Sequence, residues 1–174
     1  MKEVVSVLDE GVRLDIPFES CVLYHGKDSI GGLSLGYRLL YFALQKLCGE
    51  SIPERREVSF RTAFPGPGVR DAVEMVTRAV TGNRYHILNA EDKKDAPEGV
   101  YGRMYFEISV GQKTLICILR PGVISEEFIT TGRNSKKSPF DEIERKKWRR
   151  LKNELSDAVW KINNLEDIFT FYLK

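Results

Sequence analysis

The chain has 174 residues, of which 42% are apolar and 30% are charged. This length and composition fit one globular domain that can bury a substantial core. The formal net charge of +2 excludes a global electrostatic attraction to nucleic acid or to acidic substrates, so any such site has to come from local clustering.

The N-terminal residues and the apolar runs indicate where in the cell the protein is expected. Residues 1–15 carry acidic side chains among the apolar ones and lack the long apolar stretch of a signal peptide. No apolar run approaches the roughly 18 residues that cross a bilayer. We therefore expect a cytoplasmic protein with no membrane association.

The cysteines are far apart in the chain. They are Cys21, Cys48 and Cys117, and none belongs to a Cys-x-x-Cys pair. This spacing favours reduced thiols that are buried as small apolar side chains, and it disfavours a disulfide or a zinc site.

Apolar spacing predicts helices in the first third of the chain. The first is a short amphipathic helix whose apolar residues recur at helical intervals: Val4, Val5, Leu8 and Val12. Residues 17–24 predict a second short helix, with Pro17 in its first turn. After a glycine-containing loop, residues 32–47 predict a strong and mostly buried helix that Cys48-Gly49 closes.

The middle of the chain predicts both strands and a helix. Residues 57–64 are predicted as a strand, and Pro65-Gly66-Pro67-Gly68 as a rigid turn outside regular structure. A helix is predicted over residues 69–80 and a short strand over residues 85–88. Residues 90–99 then form a polar, charged connection.

Alternation of apolar and polar residues identifies the next strand. It is predicted over residues 100–110, with one face buried and the other, which carries Tyr101 and Tyr105, in solvent. Gly111-Gln112 predicts a hairpin turn. Residues 114–119 are apolar on both faces and predict a more central strand.

One long helix dominates the C-terminal part of the chain. Ser138 and Pro139 are predicted as its N-cap and first residue, and a helical apolar stripe continues to Ile162. Residues 123–137 are ambiguous, and the apolar tail 168–173 is expected to dock on the domain. Together these elements predict one α+β domain over residues 1–174, with helices packed on a small, mainly antiparallel sheet.

Two segments resemble the motifs of one known family. The first is His25-Gly26-Lys27 followed by Gly32-Leu33-Ser34-Leu35-Gly36-Tyr37-Arg38, and the second is Gly68-Val69-Arg70-Asp71-Ala72-Val73-Glu74-Met75-Val76-Thr77. They resemble two motifs of the FmdE-like family of formylmethanofuran dehydrogenase proteins: His-Gly-His-x-Cys-Pro-Gly with a following Leu-Ala-x-Gly, and Cys-Gly-Val-Asp-Ala-Val-Gln-x-x-Thr. Order, spacing and predicted helix context agree over about residues 17–83.

The family cysteines are missing from this chain. Lys27 stands at the second histidine position, and Ser29 or Ile30 stands at the first cysteine position. Gly68 and Ala79 replace two further cysteines. The resemblance therefore implies a divergent member with a single core domain and no C-terminal zinc finger, since no Cys-x-x-Cys pair follows the core.

The family pattern implies a metal or redox site where two helix starts meet. At the matching positions this chain offers His25 and Asp71, with His86 as a further donor, and no thiolate. A divalent metal such as zinc bound through His25 is one expectation. The alternative is that His25 only caps a helix or packs in the fold.

A helix start rich in glycine, Ser29-Ile30-Gly31-Gly32, allows another interpretation. Glycines let the backbone approach a ligand, and the free N–H groups of a helix start attract anions. Lys27 and Arg70 add positive charge, so a small anionic ligand is expected here, beside His25 and Asp71. The alternative is that the glycines only let two helices pack closely.

The most basic run of the chain is residues 145–152. A cationic stripe that includes an aromatic residue could bind nucleic acid phosphates. Trp148 and Leu151 belong to the apolar stripe, however, and nearby acids are spaced for ion pairs along the helix. A solvated helix face is therefore expected, and nucleic acid is not expected as a partner.

Three functions remain open from the sequence. The first is a non-catalytic ligand-binding or accessory protein related to molybdenum or tungsten formylmethanofuran dehydrogenase metabolism, and the missing cysteines favour it. The second is an enzyme or metalloprotein that uses His25 and Asp71 with Lys27 or Ser29. The third is an interaction module that contacts nucleic acid. A homodimer is also expected, because several aromatic residues are predicted at the surface: Tyr101, Tyr105, Phe169, Phe171 and Tyr172.

Overall fold

The N-terminal segment is a β-hairpin. The computed structural model describes residues 3–174, in which β1 (Val4–Asp9) pairs antiparallel with β2 (Val12–Pro17). Glu10 and Gly11 both have left-handed φ angles, of 53° and 79°, as a tight hairpin turn requires. The predicted amphipathic helix is wrong, because burial follows the period of a strand: Val5 and Val7 are buried.

The next two helices confirm the prediction. Helix α1 (Phe18–His25) ends at Gly26, and α2 (Ile30–Cys48) ends at Gly49; both glycines have a positive φ. Helix α2 is buried on nearly every side and forms the centre of the domain.

The main sheet is covered on one face by helices. Its order is β4 (Tyr85–Ile87), β3 (Val58–Thr62), β5 (Tyr105–Val110), β6 (Lys113–Leu119) and β7 (Phe169–Leu173). The β3–β4 pair is parallel and the other pairs are antiparallel. This arrangement confirms the predicted α+β class, with β6 in the interior of the sheet and the apolar tail docked as β7.

The side chains on the second face of the sheet are more buried than the sequence predicts. Tyr105 and Glu107 are buried there, where residues 88–103 fold over the sheet and Ala96 packs against Tyr105. Arg61 forms an ion pair with Glu107, and the hydroxyl of Tyr105 donates to the same carboxylate. The regular strand begins only at Tyr105, five residues later than predicted.

The C-terminal helices are α4 (Glu126–Asn134) and α5 (Glu142–Lys161). The predicted start of α5 at Ser138 and Pro139 is too early, because Asp141 and Glu144 form a capping box. The Asp141 carboxylate accepts from the Glu144 N–H at 2.8 Å, and the Glu144 carboxylate accepts from the Asp141 N–H at 3.0 Å. Within residues 3–174, no helix combines the length and the apolar character needed to cross a membrane.

Helix α3 (Pro67–Thr77) crosses α2 at backbone contact distance. A Cβ atom at Gly36 would lie 2.8 Å from the Cα of Val69, and one at Gly68 would lie 2.4 Å from the backbone nitrogen of Leu33. The helix also begins earlier than predicted, because Pro67 fits the first helical turn. Glycine at the crossing therefore brings the starts of α2 and α3 together.

The crossing predicts opposite effects for two alanine substitutions in α2. Gly36→Ala should lower the free energy of unfolding, because a clash costs about 1–3 kcal/mol and exceeds the roughly 0.5–1 kcal/mol gained in helix propensity. Gly32→Ala is the matched control. Its Cβ would lie 3.6 Å from the nearest atom, the Cα of Gly68, so the variant should be as stable as the wild type or more stable. Urea unfolding measures both, and equal stability of the two variants would contradict the steric account.

Candidate functional site

The starts of α2 and α3 border a narrow cleft. Ser29 precedes the first turn of α2, and Gly66 precedes that of α3. Both residues line the cleft, together with Gly32, Pro67 and Gly68. The first N–H groups of a helix have no partner within the helix, so two helix starts give this end of the cleft a partial positive charge.

The remaining walls of the cleft are mostly apolar. Helix α5 contributes Trp148, whose ring packs on Phe128 of α4 at a centroid distance of 4.7 Å. The free volume is about 40 Å³, which suits a small molecule or a few waters. The apolar side chains that line it are Leu35, Phe64, Val100, Tyr101, Met104, Ile124, Phe128, Trp148 and Leu155.

Lys152 brings a cation into this apolar lining. Only 8% of its side chain is exposed, and its Nζ donates to Asp28 at 2.5 Å. The Asp28 side chain is 87% exposed, so the acid reaches the buried ammonium from solvent. Nζ also lies 5.5 Å from the centre of the Trp148 ring. The cleft thus combines a buried positive charge, two helix starts and aromatic walls.

A second group of polar residues surrounds Asp71 in the early part of α3. The Nδ1 atom of His25 lies 2.7 Å from one carboxylate oxygen of Asp71, and Arg70 donates to the other oxygen at 3.1 Å. Only 7% of the His25 side chain is exposed. Its Nε2 atom is buried and has no hydrogen-bond partner among residues 3–174. Helix α1 ends at His25, so its packing on α3 produces this contact.

Tyr85 on β4 carries another buried polar atom near this group. Its hydroxyl has no hydrogen-bond partner in the described part of the chain. Burial raises the pKa of Tyr85 to about 12, while the nearby charges of Arg70 and Asp71 lower and raise it, respectively. Tyr85 is therefore a neutral phenol at physiological pH, able to donate or accept one hydrogen bond.

The structure divides the predicted site residues between two places. Ser29 and Gly32 line the cleft, whereas His25, Arg70 and Asp71 form the separate cluster around the Asp71 carboxylate.

The other predicted site residues belong neither to the cleft nor to the cluster around Asp71. Lys27 lies exposed in the loop between α1 and α2. A Cβ atom on Gly31 would lie 2.9 Å from the Leu155 side chain, so this glycine permits the packing of α2 on α5. His86 is exposed on β4.

A zinc centre does not fit these residues. Within residues 3–174, no group of three or more His, Cys, Asp or Glu side chains could hold a metal ion, and His25 has only Asp71 beside it. No cysteine of the described chain belongs to such a group, and burial raises the pKa of both Cys21 and Cys117 to about 12. A protein zinc site needs at least three such ligands.

Lys152 is the charged cleft residue that the sequence interpretation misses, and Trp148 is one of the aromatic residues that it misses. The charge pattern groups Lys152 with its basic neighbours on a solvated helix face. Its spacing contains the necessary signal, because it follows Trp148 by four residues and precedes Leu155 by three, which places it on the apolar stripe.

No family model matches the chain, and no curated protein matches it. The relation to the FmdE-like family therefore remains a prediction from the two motifs.

The contact with Asp71 predicts an unusual tautomer for His25. A carboxylate can only accept, so Nδ1 must carry the proton, and in the neutral imidazole Nε2 then carries the lone pair. Nitrogen-15 NMR of the neutral imidazoles should show a protonated Nδ1 in His25, while exposed His86 serves as the internal reference.

Asp71→Ala removes the acceptor and should release His25 from this tautomer. A proton found on Nε2 of neutral His25 in the wild type would contradict the prediction.

Proposed function

We propose that this protein binds a small organic carboxylate in the cleft at the starts of α2 and α3. The observation that carries the proposal is Lys152, a buried ammonium whose acidic partner, Asp28, is itself largely in solvent. The carboxylate of a ligand can replace Asp28, and the released Asp28 returns to water at little cost. The apolar part of the ligand would lie against Trp148 and Phe128.

The electrostatics of the cleft favour an anion over a neutral ligand. A charged hydrogen bond to a buried ammonium is stronger than a neutral one, because little water competes with it. The helix starts at Ser29 and Gly66 add favourable dipoles. A free volume of about 40 Å³ limits the ligand to a few non-hydrogen atoms unless side chains at the mouth move.

The biological setting of this binding rests on the motif resemblance. It supports a non-catalytic ligand-binding or accessory protein in the cytoplasm, related to molybdenum or tungsten formylmethanofuran dehydrogenase metabolism. The absence of the family thiols, at positions now held by Ser29 or Ile30, Gly68 and Ala79, favours binding over redox chemistry.

An enzyme that uses His25 is the second candidate function. The observation in its favour is the unpartnered Nε2 atom of a histidine whose Nδ1 is held by Asp71. A carboxylate in this position orients an imidazole so that its other nitrogen can accept a proton. Buried Tyr85 could donate a hydrogen bond to a reacting group nearby.

A homodimer is a further proposal, with β7 as its centre. Of the aromatic residues expected at the surface, Tyr105 and Phe169 are buried within the chain, so the surplus of exposed aromatic side chains is smaller than predicted. Strand β7 nevertheless lies at the edge of the sheet, and Tyr172 and Leu173 are exposed there. An exposed edge strand can pair with a second copy about a two-fold axis.

Sedimentation equilibrium tests the dimer. Leu173→Lys places a charge on the edge strand and should shift the protein to monomer at micromolar concentration. Leu23→Lys, at another exposed apolar residue, on α1, is the matched control and should remain dimeric. A monomeric wild type would rule out the proposal.

Isothermal titration calorimetry with a series of carboxylates, from acetate to octanoate, tests whether the cleft binds such a ligand. Lys152→Met keeps the length and apolar bulk of the side chain but removes the charge. It should raise the Kd of the best carboxylate by about tenfold or more, since a charged hydrogen bond contributes roughly 1.5–3 kcal/mol. The fold should persist, because the Asp28 carboxylate that loses its partner is 87% exposed and stays hydrated, so no unpaired charge is left buried.

Two comparisons make the result specific. Lys161→Met removes an exposed charge from the same helix and should leave the Kd unchanged. The neutral amide of the best carboxylate should bind more weakly than the acid to the wild type, and equally to Lys152→Met. Equal carboxylate affinity in all three proteins, or no binding by any acid of the series, would refute the proposal.

A further inference from the structure

A second and larger cleft lies on another side of the domain. It runs between β2, the last turn of α1 and the C-terminal end of α3, with a volume of about 460 Å³. Three arginines line it: Arg13 of β2, Arg55 from the turn before β3, and Arg78 at the end of α3. Tyr24 and Met75 provide aromatic and apolar surface beside them.

Arg55, which lines this cleft, has an unused donor. Its Nη1 atom donates to Asp9 and its Nη2 atom to the carbonyl of Met75, each at 3.2 Å. The Nε atom is buried and has no partner among residues 3–174. A buried guanidinium N–H without an acceptor is costly, so an oxygen from a molecule in the cleft would stabilise the site.

The contact of Arg55 with the C-terminal end of α3 does not use the Nε donor. The Met75 carbonyl is satisfied by Nη2 alone, and Arg84 donates to the later carbonyls of Thr77 and Arg78. These cations also offset the negative end of the helix, which would otherwise repel an anion. The end of α3 therefore does not use the Nε donor.

Arg78 can turn into the cleft. It is 59% exposed, and its Nε lies 3.8 Å from the Glu74 carboxylate, beyond hydrogen-bonding distance. Glu74 is committed elsewhere: it accepts from the N–H groups of Val80 and Thr81 and from the Thr81 hydroxyl. Burial would raise the pKa of Glu74, but these hydrogen bonds outweigh burial and lower it.

The arginines of this cleft differ in how closely acids pair with them. Against three arginines stand Asp15, which is held by Arg13 and Ser6, and Glu74. The formal sum of these five side chains is +1. Asp9 lies outside the lining but pairs with Nη1 of Arg55 and brings the formal sum to zero. Arg13 and Arg55 thus each have an acid within hydrogen-bonding distance, whereas the acid nearest to Arg78 is 3.8 Å away, so Arg78 is the cation that an anion would meet first.

We propose that this cleft binds a phosphate monoester, with the phosphoryl oxygens accepting hydrogen bonds from Arg55 Nε and from Arg78. Guanidinium groups match phosphate oxygens in both charge and geometry. Tyr24 and Met75 would contact the organic part of the ester. This site is independent of the carboxylate cleft, and the two share no lining residue.

Isothermal titration calorimetry with phenyl phosphate, inorganic phosphate and benzoate tests the proposal. Phenyl phosphate should bind most tightly, because it alone offers both a phosphoryl group and a ring. Arg78→Gln should raise its Kd about tenfold or more, the loss expected for a charged hydrogen bond. Tyr24→Ala should weaken phenyl phosphate but leave inorganic phosphate unchanged.

Arg55→Lys retains the charge but removes the Nε donor, and it should also weaken phenyl phosphate. Arg56→Lys is the matched control, since Arg56 is the exposed neighbour outside the cleft, and it should bind as the wild type does. If Arg55→Lys does not fold, Arg78→Gln still decides the outcome. Lys152→Met should bind phenyl phosphate normally, which separates this site from the carboxylate cleft.

Three results would overturn the proposal. They are inorganic phosphate or benzoate binding as tightly as phenyl phosphate, Arg78→Gln binding as tightly as wild type, and no phenyl phosphate binding at millimolar concentration.

Discussion

Backbone contact between α2 and α3 determines the geometry of both polar sites. At Gly36 and Gly68 there is no room for a side chain, so the two helices meet closely near their first turns. The same crossing sets the position of Asp71 on α3 relative to His25, which ends α1 just before α2. A steric constraint without charge therefore places two helix dipoles and a histidine–aspartate pair within one region of the fold.

Much of the fold could be predicted because its helices have regular apolar stripes. The predictions were wrong where the apolar residues fit both a helical and a strand period, and where helix capping decides a boundary. In β1 the residues Val4, Val5 and Leu8 fit a helix, but burial of Val5 and Val7 and the turn at Gly11 make a strand. The long helix begins after Asp141 because a capping box satisfies its first donors, which proline preference alone does not reveal.

The candidate site was only partly predictable, for a different reason. Motif spacing correctly anticipated that the helix starts would meet and that His25 would lie beside Asp71. It could not separate these residues from the cleft at Ser29, because that division depends on which side of α3 each residue faces. Lys152 was obscured by the charged residues around it, since burial of a lysine depends on a partner from a distant part of the chain, here Asp28.

The bridge between Lys152 and Asp28 joins residues 124 positions apart. The cleft consequently exists only in molecules in which α5 has packed on α2, and partly folded chains have no binding site. By mass action, a ligand at a hundred times its Kd would stabilise the folded state by roughly 2.7 kcal/mol. If the cleft binds the proposed carboxylate, chains that lack it would populate the unfolded state more often and meet proteases more often, so the cellular abundance of this protein would rise and fall with the supply of that acid.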